Sequence, residues 1–204
     1  MWRKCRASRK SLSGNLAGIS KGSETRMYRL KRTVALVGMM GAGKSSVGRR
    51  LAAKLGVPFR DADTEIETAA GCTISEIFER FGEADFRDGE RRVIARLLRE
   101  APHVLATGGG AFIDPRTRTE IKAHAISIWL RASVELLASR VQRRDTRPLL
   151  RQGDPKETLS RLLAQREPVY AEADIQLDSE DGPHGAVVEQ IVAALQERGL
   201  LEIA

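Results

Sequence analysis

The segment that decides the fold of this chain reads Gly38-Met-Met-Gly41-Ala-Gly43-Lys44-Ser45-Ser46. It satisfies the pattern Gly-x-x-x-x-Gly-Lys-[Ser/Thr], in which backbone N–H groups wrap around phosphate oxygens. Glycines are needed because the backbone must approach the anion closely, in conformations that a Cβ would forbid. An apolar run from Thr33 to Val37 precedes the segment and predicts a strand that leads into this phosphate-binding loop.

The residues after the loop predict a helix from Lys44 to Leu55, because apolar residues recur there at helical spacing and Gly56 follows as a stop. The positive N-terminal end of this helix adds to the attraction for phosphate. We expect Lys44 to reach the β- and γ-phosphates of ATP and the Ser45 hydroxyl to bind one Mg²⁺ ion. The ATP contacts are expected from the loop and the first helical turn, namely Gly41, Ala42, Gly43, Lys44, Ser45 and Ser46.

Beyond Lys31, short apolar runs alternate with amphipathic helical segments, which is typical of a parallel sheet with crossover helices. The predicted class is α/β, with three layers and a five-stranded parallel sheet flanked by helices. The predicted strands are Thr33 to Val37, Pro58 to Arg60, His103 to Ala106, Ala125 to Leu130 and Asp174 to Leu177. Further helices are predicted over residues 74–81, 84–99 and 186–198, and two more start at Pro115 and Pro155.

The positive charge of the chain is concentrated in its first 26 residues. The whole sequence carries +7, and these residues hold seven Lys or Arg and one Glu, which leaves +1 for residues 27–204. A nearly neutral body with 4% aromatic residues offers neither a phosphate-backbone footprint nor stacking platforms, so we expect no nucleic-acid partner. We interpret residues 1–26 as a basic, disordered extension; a transit peptide and a basic interaction arm are the alternatives.

Cysteine content and hydropathy indicate the compartment. Two cysteines, Cys5 and Cys72, cannot form the framework of a disulfide-rich secreted domain. The chain has no apolar run near the length of about 18 residues that a membrane span needs, and its N-terminus lacks the apolar core of a secretory signal. We therefore expect one soluble, cytoplasmic domain over residues 27–204, with no membrane partner.

Two carboxylates, in Asp61-Ala-Asp63, follow the second predicted strand. They lie at the carboxyl edge of the predicted sheet, where open α/β folds bind their ligands. An aspartate that opens a helix is most often an N-cap, and this alternative stays open for the pair.

Several motifs, in order over residues 30–195, together resemble the shikimate kinase family. They are the phosphate-binding loop, Asp61-Ala-Asp63, the segment Phe81-Gly-Glu-Ala-Asp-Phe86-Arg87, the run Gly108 to Gly110, Arg147-Pro148-Leu149 and Arg166-Glu-Pro168-Val-Tyr170. The resemblance implies a P-loop kinase fold with a lid at about residues 143–154. It also implies ATP-dependent phosphorylation of the 3-hydroxyl of shikimate, a step of chorismate and aromatic amino-acid biosynthesis, by a monomer.

The resemblance also implies residue roles. Asp63 corresponds to the carboxylate that binds the ring hydroxyls and is the candidate base, and Asp61 corresponds to a residue that supports Mg²⁺, for which a helix cap is the alternative. Arg87 and Arg166 correspond to the arginines that hold the substrate carboxylate, a role that suits a planar guanidinium fork. The catalytic set would be Lys44, Asp63 and Arg147.

The remaining implied contacts concern the glycine run and the lid. Gly109 and Gly110 would offer backbone N–H groups to the substrate, and Arg147 would meet the nucleotide phosphates when the lid closes. Two other functions remain to be tested against this one. They are a kinase of another polyol acid such as gluconate, and a non-catalytic nucleotide-binding module that uses the basic tail as its partner arm.

Overall fold

The computed structural model describes residues 28–142, 155–179 and 185–203. Its strands, in chain order, are β1 (Tyr28–Leu30), β2 (Thr33–Val37), β3 (Phe59–Asp61), β4 (Val104–Ala106), β5 (Ala125–Arg131), β6 (Ile175–Asp178) and β7 (Leu201–Ile203). Its helices are α1 (Lys44–Leu55), α2 (Ala62–Ala70), α3 (Ile74–Leu97), α4 (Pro115–His124), α5 (Val134–Gln142), α6 (Pro155–Tyr170) and α7 (Gly185–Glu197).

Five of these strands form one parallel sheet in the order β3-β4-β2-β5-β6. All five residues of β2 are buried, as expected for the central strand of a sheet that is covered on both faces. The predicted α/β class with a five-stranded parallel sheet and flanking helices is confirmed. The chain moves from β2 to one side for β3 and β4 and to the other side for β5 and β6, which makes the end of β2 a topological switch point.

Local signals in the sequence set most of the helix ends. The helix α1 begins at Lys44 and ends before Gly56, whose φ of 67° suits a residue without a Cβ. At the start of α3, Thr73 and Glu76 form the predicted capping box. The predicted break between two helices at Gly82 is confirmed: Gly82 has non-helical backbone angles (φ 79°, ψ 177°), so α3 consists of two helical segments that meet at a kink there.

A second, two-stranded sheet was not predicted from the sequence. The strands β1 and β7 pair antiparallel, with Arg29 opposite Glu202, and so join the two ends of the described chain. The backbone N–H of Lys31 donates to the carbonyl of Leu200 at 3.0 Å, and the Lys31 ammonium pairs with Glu202. Strands of three residues carry too little hydrophobic periodicity to be recognised in isolation.

Two expectations concern residues that the structure does not describe. The tail, residues 1–26, and the lid, residues 143–154, both lie outside the described ranges, so the domain boundaries remain predictions. Among the helices of the described residues, none is long and apolar enough to cross a membrane.

Candidate active site

Three loops meet at the carboxyl edge of the parallel sheet. The phosphate-binding loop leaves β2, the aspartate pair begins at the last residue of β3, and the glycine run leaves β4. Because β3, β4 and β2 are neighbours in the sheet, these three loops lie side by side. This edge of the sheet therefore carries the phosphate-binding loop together with the aspartate pair and the glycine run, the two segments that the sequence indicated for the acceptor.

The phosphate-binding loop adopts the backbone conformations that its glycines allow. Gly38 has a φ of 130° and Gly43, the N-cap of α1, has a φ of 92°, both in the region that L side chains rarely adopt. Lys44 is buried, and its ammonium donates to the carbonyls of Gly38 at 2.8 Å and Met39 at 2.9 Å. The loop is thus folded around the cation at the N-terminal end of α1.

The Ser45 and Asp61 side chains form the candidate magnesium site. The Ser45 hydroxyl donates to Asp61 Oδ2 at 2.6 Å, while Asp61 Oδ1 accepts from the backbone N–H of Asp63 at 3.2 Å. One oxygen of Asp61 therefore caps α2 and the other faces the phosphate-binding loop, so the two sequence interpretations are compatible. Mg²⁺ takes one or two protein oxygens and completes its shell with water and phosphate oxygens, and this hydroxyl–carboxylate pair fits that pattern.

Asp63 stands in the first turn of α2, half-buried, next to the glycine run. A Cβ on Gly108 would lie 3.1 Å from Asp63 Oδ1 and 2.7 Å from Glu90 Oε1. The carboxylates of Asp63 and Glu90 therefore approach the same point of the backbone from α2 and α3. Gly108 lacks a side chain because these two groups occupy the space where a side chain would be.

Arg87 is held on α3 by two carboxylates. Its guanidinium donates to Glu90 at 2.7 Å and to Glu83 at 3.2 Å. Burial alone would lower the pKa of Arg87, but the charges and hydrogen bonds of Glu90 and Glu83 outweigh it and raise that pKa. Burial also raises the pKa of the Glu90 carboxyl, against the opposing effect of Arg87, because Glu90 is the more deeply buried partner of the pair.

The guanidinium of Arg87 lies directly against Gly110. A Cβ on Gly110 would be 2.5 Å from Arg87 Nη1 and 2.7 Å from Nη2, closer than real Cβ atoms approach. Arg166 Nη1 contacts the carbonyl of the preceding residue, Gly109, at 3.4 Å. Arg87 and Arg166, which are 79 positions apart in the sequence, therefore converge on two successive glycines.

Sequence reasoning missed three side chains at this edge. Glu90 lies three residues after Arg87 on a buried helix face, and an acid at that spacing could have suggested a partner for the arginine. Tyr170 closes the Arg-x-Pro-x-Tyr motif and donates to the Gly109 carbonyl. Arg140 of α5 contacts the Ser179 hydroxyl at 3.1 Å and the Gly41 carbonyl at 3.5 Å, which places it beside the phosphate-binding loop.

A central strand that runs into a phosphate-binding loop, with candidate acceptor residues at the neighbouring strand ends, defines a P-loop kinase. The family model for shikimate kinase matches residues 40–196. The chain belongs to the shikimate kinase family, which confirms the resemblance in the motifs.

Individual relatives agree with this membership. The shikimate kinase of Caulobacter vibrioides (strain NA1000 / CB15N) is 60% identical over 166 residues, which span 81% of this chain and 83% of the relative. That of Bradyrhizobium diazoefficiens is 59% identical over 165 residues, 81% of this chain and 80% of the relative. The solved shikimate kinase from Acinetobacter baumannii in complex with shikimate has a TM-score of 0.80 and 39% identity, covering 83% of this chain and 95% of that one.

Proposed function

We propose that this chain transfers the γ-phosphoryl group of ATP to the 3-hydroxyl of shikimate, giving shikimate 3-phosphate and ADP in chorismate and aromatic amino-acid biosynthesis. The observation that carries the proposal is the convergence of Arg87 and Arg166 on Gly109 and Gly110, beside Asp63 and the phosphate-binding loop. Two guanidinium groups that contact the same loop are suited to bind a substrate that bears a carboxylate. A nucleotide-binding module has no need for this acceptor arrangement.

The phosphate-binding loop would hold the ATP phosphates on the amides from Gly41 to Ser46, with Lys44 on the β- and γ-phosphates. Ser45 and Asp61 would hold Mg²⁺, which supplies charge neutralisation for the triphosphate. Arg147, outside the described residues, would add a positive charge from the lid once the substrates are bound. Each of these groups acts by position and charge, as phosphoryl transfer requires.

On the acceptor side, Asp63 would orient the 3-hydroxyl and accept its proton as the oxygen attacks the γ-phosphorus. The bond between that phosphorus and the β–γ bridging oxygen breaks, and ADP carries the electron pair away. Arg87 and Arg166 would bind the carboxylate, and the backbone at Gly109 and Gly110 would approach the ring. We further propose that the protein acts as a cytoplasmic monomer, with residues 27–204 as its domain and residues 143–154 as its lid.

A coupled assay of ADP release with MgATP over shikimate, quinate and gluconate tests the acceptor. We expect turnover with shikimate to exceed the others by orders of magnitude. Asp63→Asn should lower kcat by about 10²- to 10⁴-fold, the usual contribution of a positioned base. Turnover that prefers gluconate, or that survives in Asp63→Asn, would overturn the assignment.

Arginine variants test the carboxylate contact with a control on the same helix. Arg87→Ala should raise the KM for shikimate at least tenfold, because a charge-assisted hydrogen bond contributes about 1.5–3 kcal/mol. Arg92 is exposed on the same helix and pairs with Asp88, so Arg92→Ala should leave that KM unchanged. Equal effects of the two variants would show that the change comes from the charge of the helix and not from a contact with the substrate.

A further inference from the structure

Tyr170 lies beneath both halves of the candidate active site. It is fully buried, and it is the last residue of α6, one helical turn beyond Arg166. Its hydroxyl donates to the Gly109 carbonyl at 2.5 Å, and the same oxygen lies 3.7 Å from the sulfur of Met39 in the phosphate-binding loop. A single side chain therefore contacts the glycine run on one side and the nucleotide loop on the other.

The ring of Tyr170 is fixed by packing. It stacks on Trp129 of β5 with centroids 5.8 Å apart and an interplanar angle of 29°. Trp129 in turn lies under the nucleotide loop, since a Cβ on Gly38 would be 3.1 Å from its Cδ1. Stacking on a strand of the central sheet therefore restricts the position of the Tyr170 ring and of the hydroxyl that it carries.

The backbones of the two loops are also in direct contact. A Cβ on Gly109 would lie 3.2 Å from the backbone nitrogen of Met40. The carbonyl of Met39 accepts from the Lys44 ammonium at 2.9 Å. A displacement of the Gly109 peptide would thus reach the residues that hold the P-loop lysine.

The Tyr170 hydroxyl also affects which partner the Arg166 guanidinium can bind. The Gly109 carbonyl accepts from both Tyr170 and Arg166, the latter at 3.4 Å. A half-buried carbonyl that loses its donor incurs a desolvation cost, so without the tyrosine Arg166 would be held on Gly109. With the tyrosine in place, the arginine can turn to a carboxylate and the carbonyl keeps a partner. Burial raises the pKa of Tyr170 to about 12, so this donor keeps its proton at physiological pH.

We propose that Tyr170 is a positioning residue that couples the two substrate sites: it fixes the Gly109 peptide against the nucleotide loop and releases Arg166 for the carboxylate of the acceptor. The inference rests on the proposed function. It implies that bound nucleotide tightens the binding of shikimate, and that this coupling depends on a hydroxyl that touches neither ligand.

The test measures the Kd of shikimate by calorimetry with and without saturating MgADP, in the full chain and in Tyr170→Phe. We expect the wild-type Kd to fall on addition of MgADP by about five- to tenfold or more, within the usual range of coupling between sites. The ratio of the Kd without MgADP to the Kd with MgADP should approach one in Tyr170→Phe. The Kd measured in the presence of MgADP should be about tenfold higher in this variant than in the wild type. Tyr28→Phe, at the other tyrosine of the chain, is the matched control and should keep the wild-type ratio.

Three outcomes decide between the inference and its rivals. A wild-type ratio of one, or an unchanged ratio in Tyr170→Phe despite a lower Tm, would overturn the coupling role and leave the tyrosine a packing residue. If Tyr170→Phe does not fold, Met39→Leu removes the contact between the Tyr170 hydroxyl and the nucleotide loop at nearly constant volume, and an unchanged ratio there overturns coupling through that contact. Failure of the wild type to bind or phosphorylate shikimate would instead refute the proposed function itself.

Discussion

Substituting Gly110 by alanine tests whether the glycine run exists to make room for Arg87. The added Cβ would lie 2.5 Å from Arg87 Nη1 and 2.8 Å from Cζ, whereas ordinary contacts begin at 3.4 Å. The Arg87 guanidinium must therefore move away from residue 110 by about 0.9 Å, the difference between 3.4 and 2.5 Å. Glu90, at 2.7 Å, and Glu83, at 3.2 Å, restrict the directions in which it can go.

The expected magnitude follows from this displacement. A shift of roughly 1 Å breaks the two-pronged geometry of an arginine on a carboxylate, and a charged hydrogen bond contributes about 1.5–3 kcal/mol. At about 1.4 kcal/mol per factor of ten, the KM for shikimate should rise about 10- to 100-fold. The KM for ATP should stay within about twofold, because Arg87 binds the acceptor and not the nucleotide in this scheme.

Steady-state kinetics of ADP release, with each substrate varied in turn, measure both constants. The double variant Gly110→Ala/Arg87→Ala should be no worse than Arg87→Ala alone, because both changes act on the same guanidinium. Gly185→Ala is the control, since its Cβ would meet no atom of the described residues within 4 Å. Additive effects in the double variant, or an equal rise in the KM for ATP, would refute the reasoning.

Three further predictions concern the metal site, a buried charge and the sheet. Ser45→Ala should lower kcat at least tenfold and raise the Mg²⁺ concentration needed for half-maximal rate, as a magnesium titration would show. Because the pKa of Glu90 is raised in the fold, the folded state holds its proton to higher pH than the unfolded chain does. The free energy of unfolding should therefore fall as pH rises between the unfolded and the folded pKa, by up to about 1.4 kcal/mol per pH unit, and urea titrations of Glu90→Gln should lack this contribution. Ser127→Ala removes a buried hydroxyl that donates to Asp174 at 2.6 Å, and should cost about 1–3 kcal/mol in urea unfolding without changing either KM.

The sequence was sufficient to predict the frame of the site. The phosphate-binding loop and α1 lie where the glycines and the helical spacing put them, because their conformation follows from local rules on φ and on helix ends. The five parallel strands were predicted to within one or two residues, since buried strands read as short apolar runs between amphipathic helices. The double contact of Asp61 also follows from its place at the end of a strand and the start of a helix.

Contacts between distant segments could not be predicted in this way. Nothing local indicates that Arg87 and Arg166 meet at successive glycines, or that Tyr170 reaches the carbonyl of Gly109. Gly108 and Gly110 have backbone conformations that other residues could adopt. Glycine is needed at these positions because Glu90 and Arg87 occupy the space that a side chain would take. This steric requirement can be recognised only when the positions of the helices α2, α3 and α6 around the glycine run are known.

The two arginines that we propose to bind the acceptor differ in how their charge is balanced. Arg87 already pairs with the carboxylates of Glu90 and Glu83, so its role toward an anion is mainly to present further N–H donors in a fixed plane. Within the described ranges, the partners that the structure shows for Arg166 are neutral: the carbonyl of Gly109, the sulfur of Met39 and the hydroxyl of Tyr170. Exchanging a carbonyl for a carboxylate strengthens a guanidinium contact, whereas exchanging one carboxylate for another does not. If the proposed function holds, Arg166 would supply the charge that selects an acid, and Arg87 would supply the geometry that orients it.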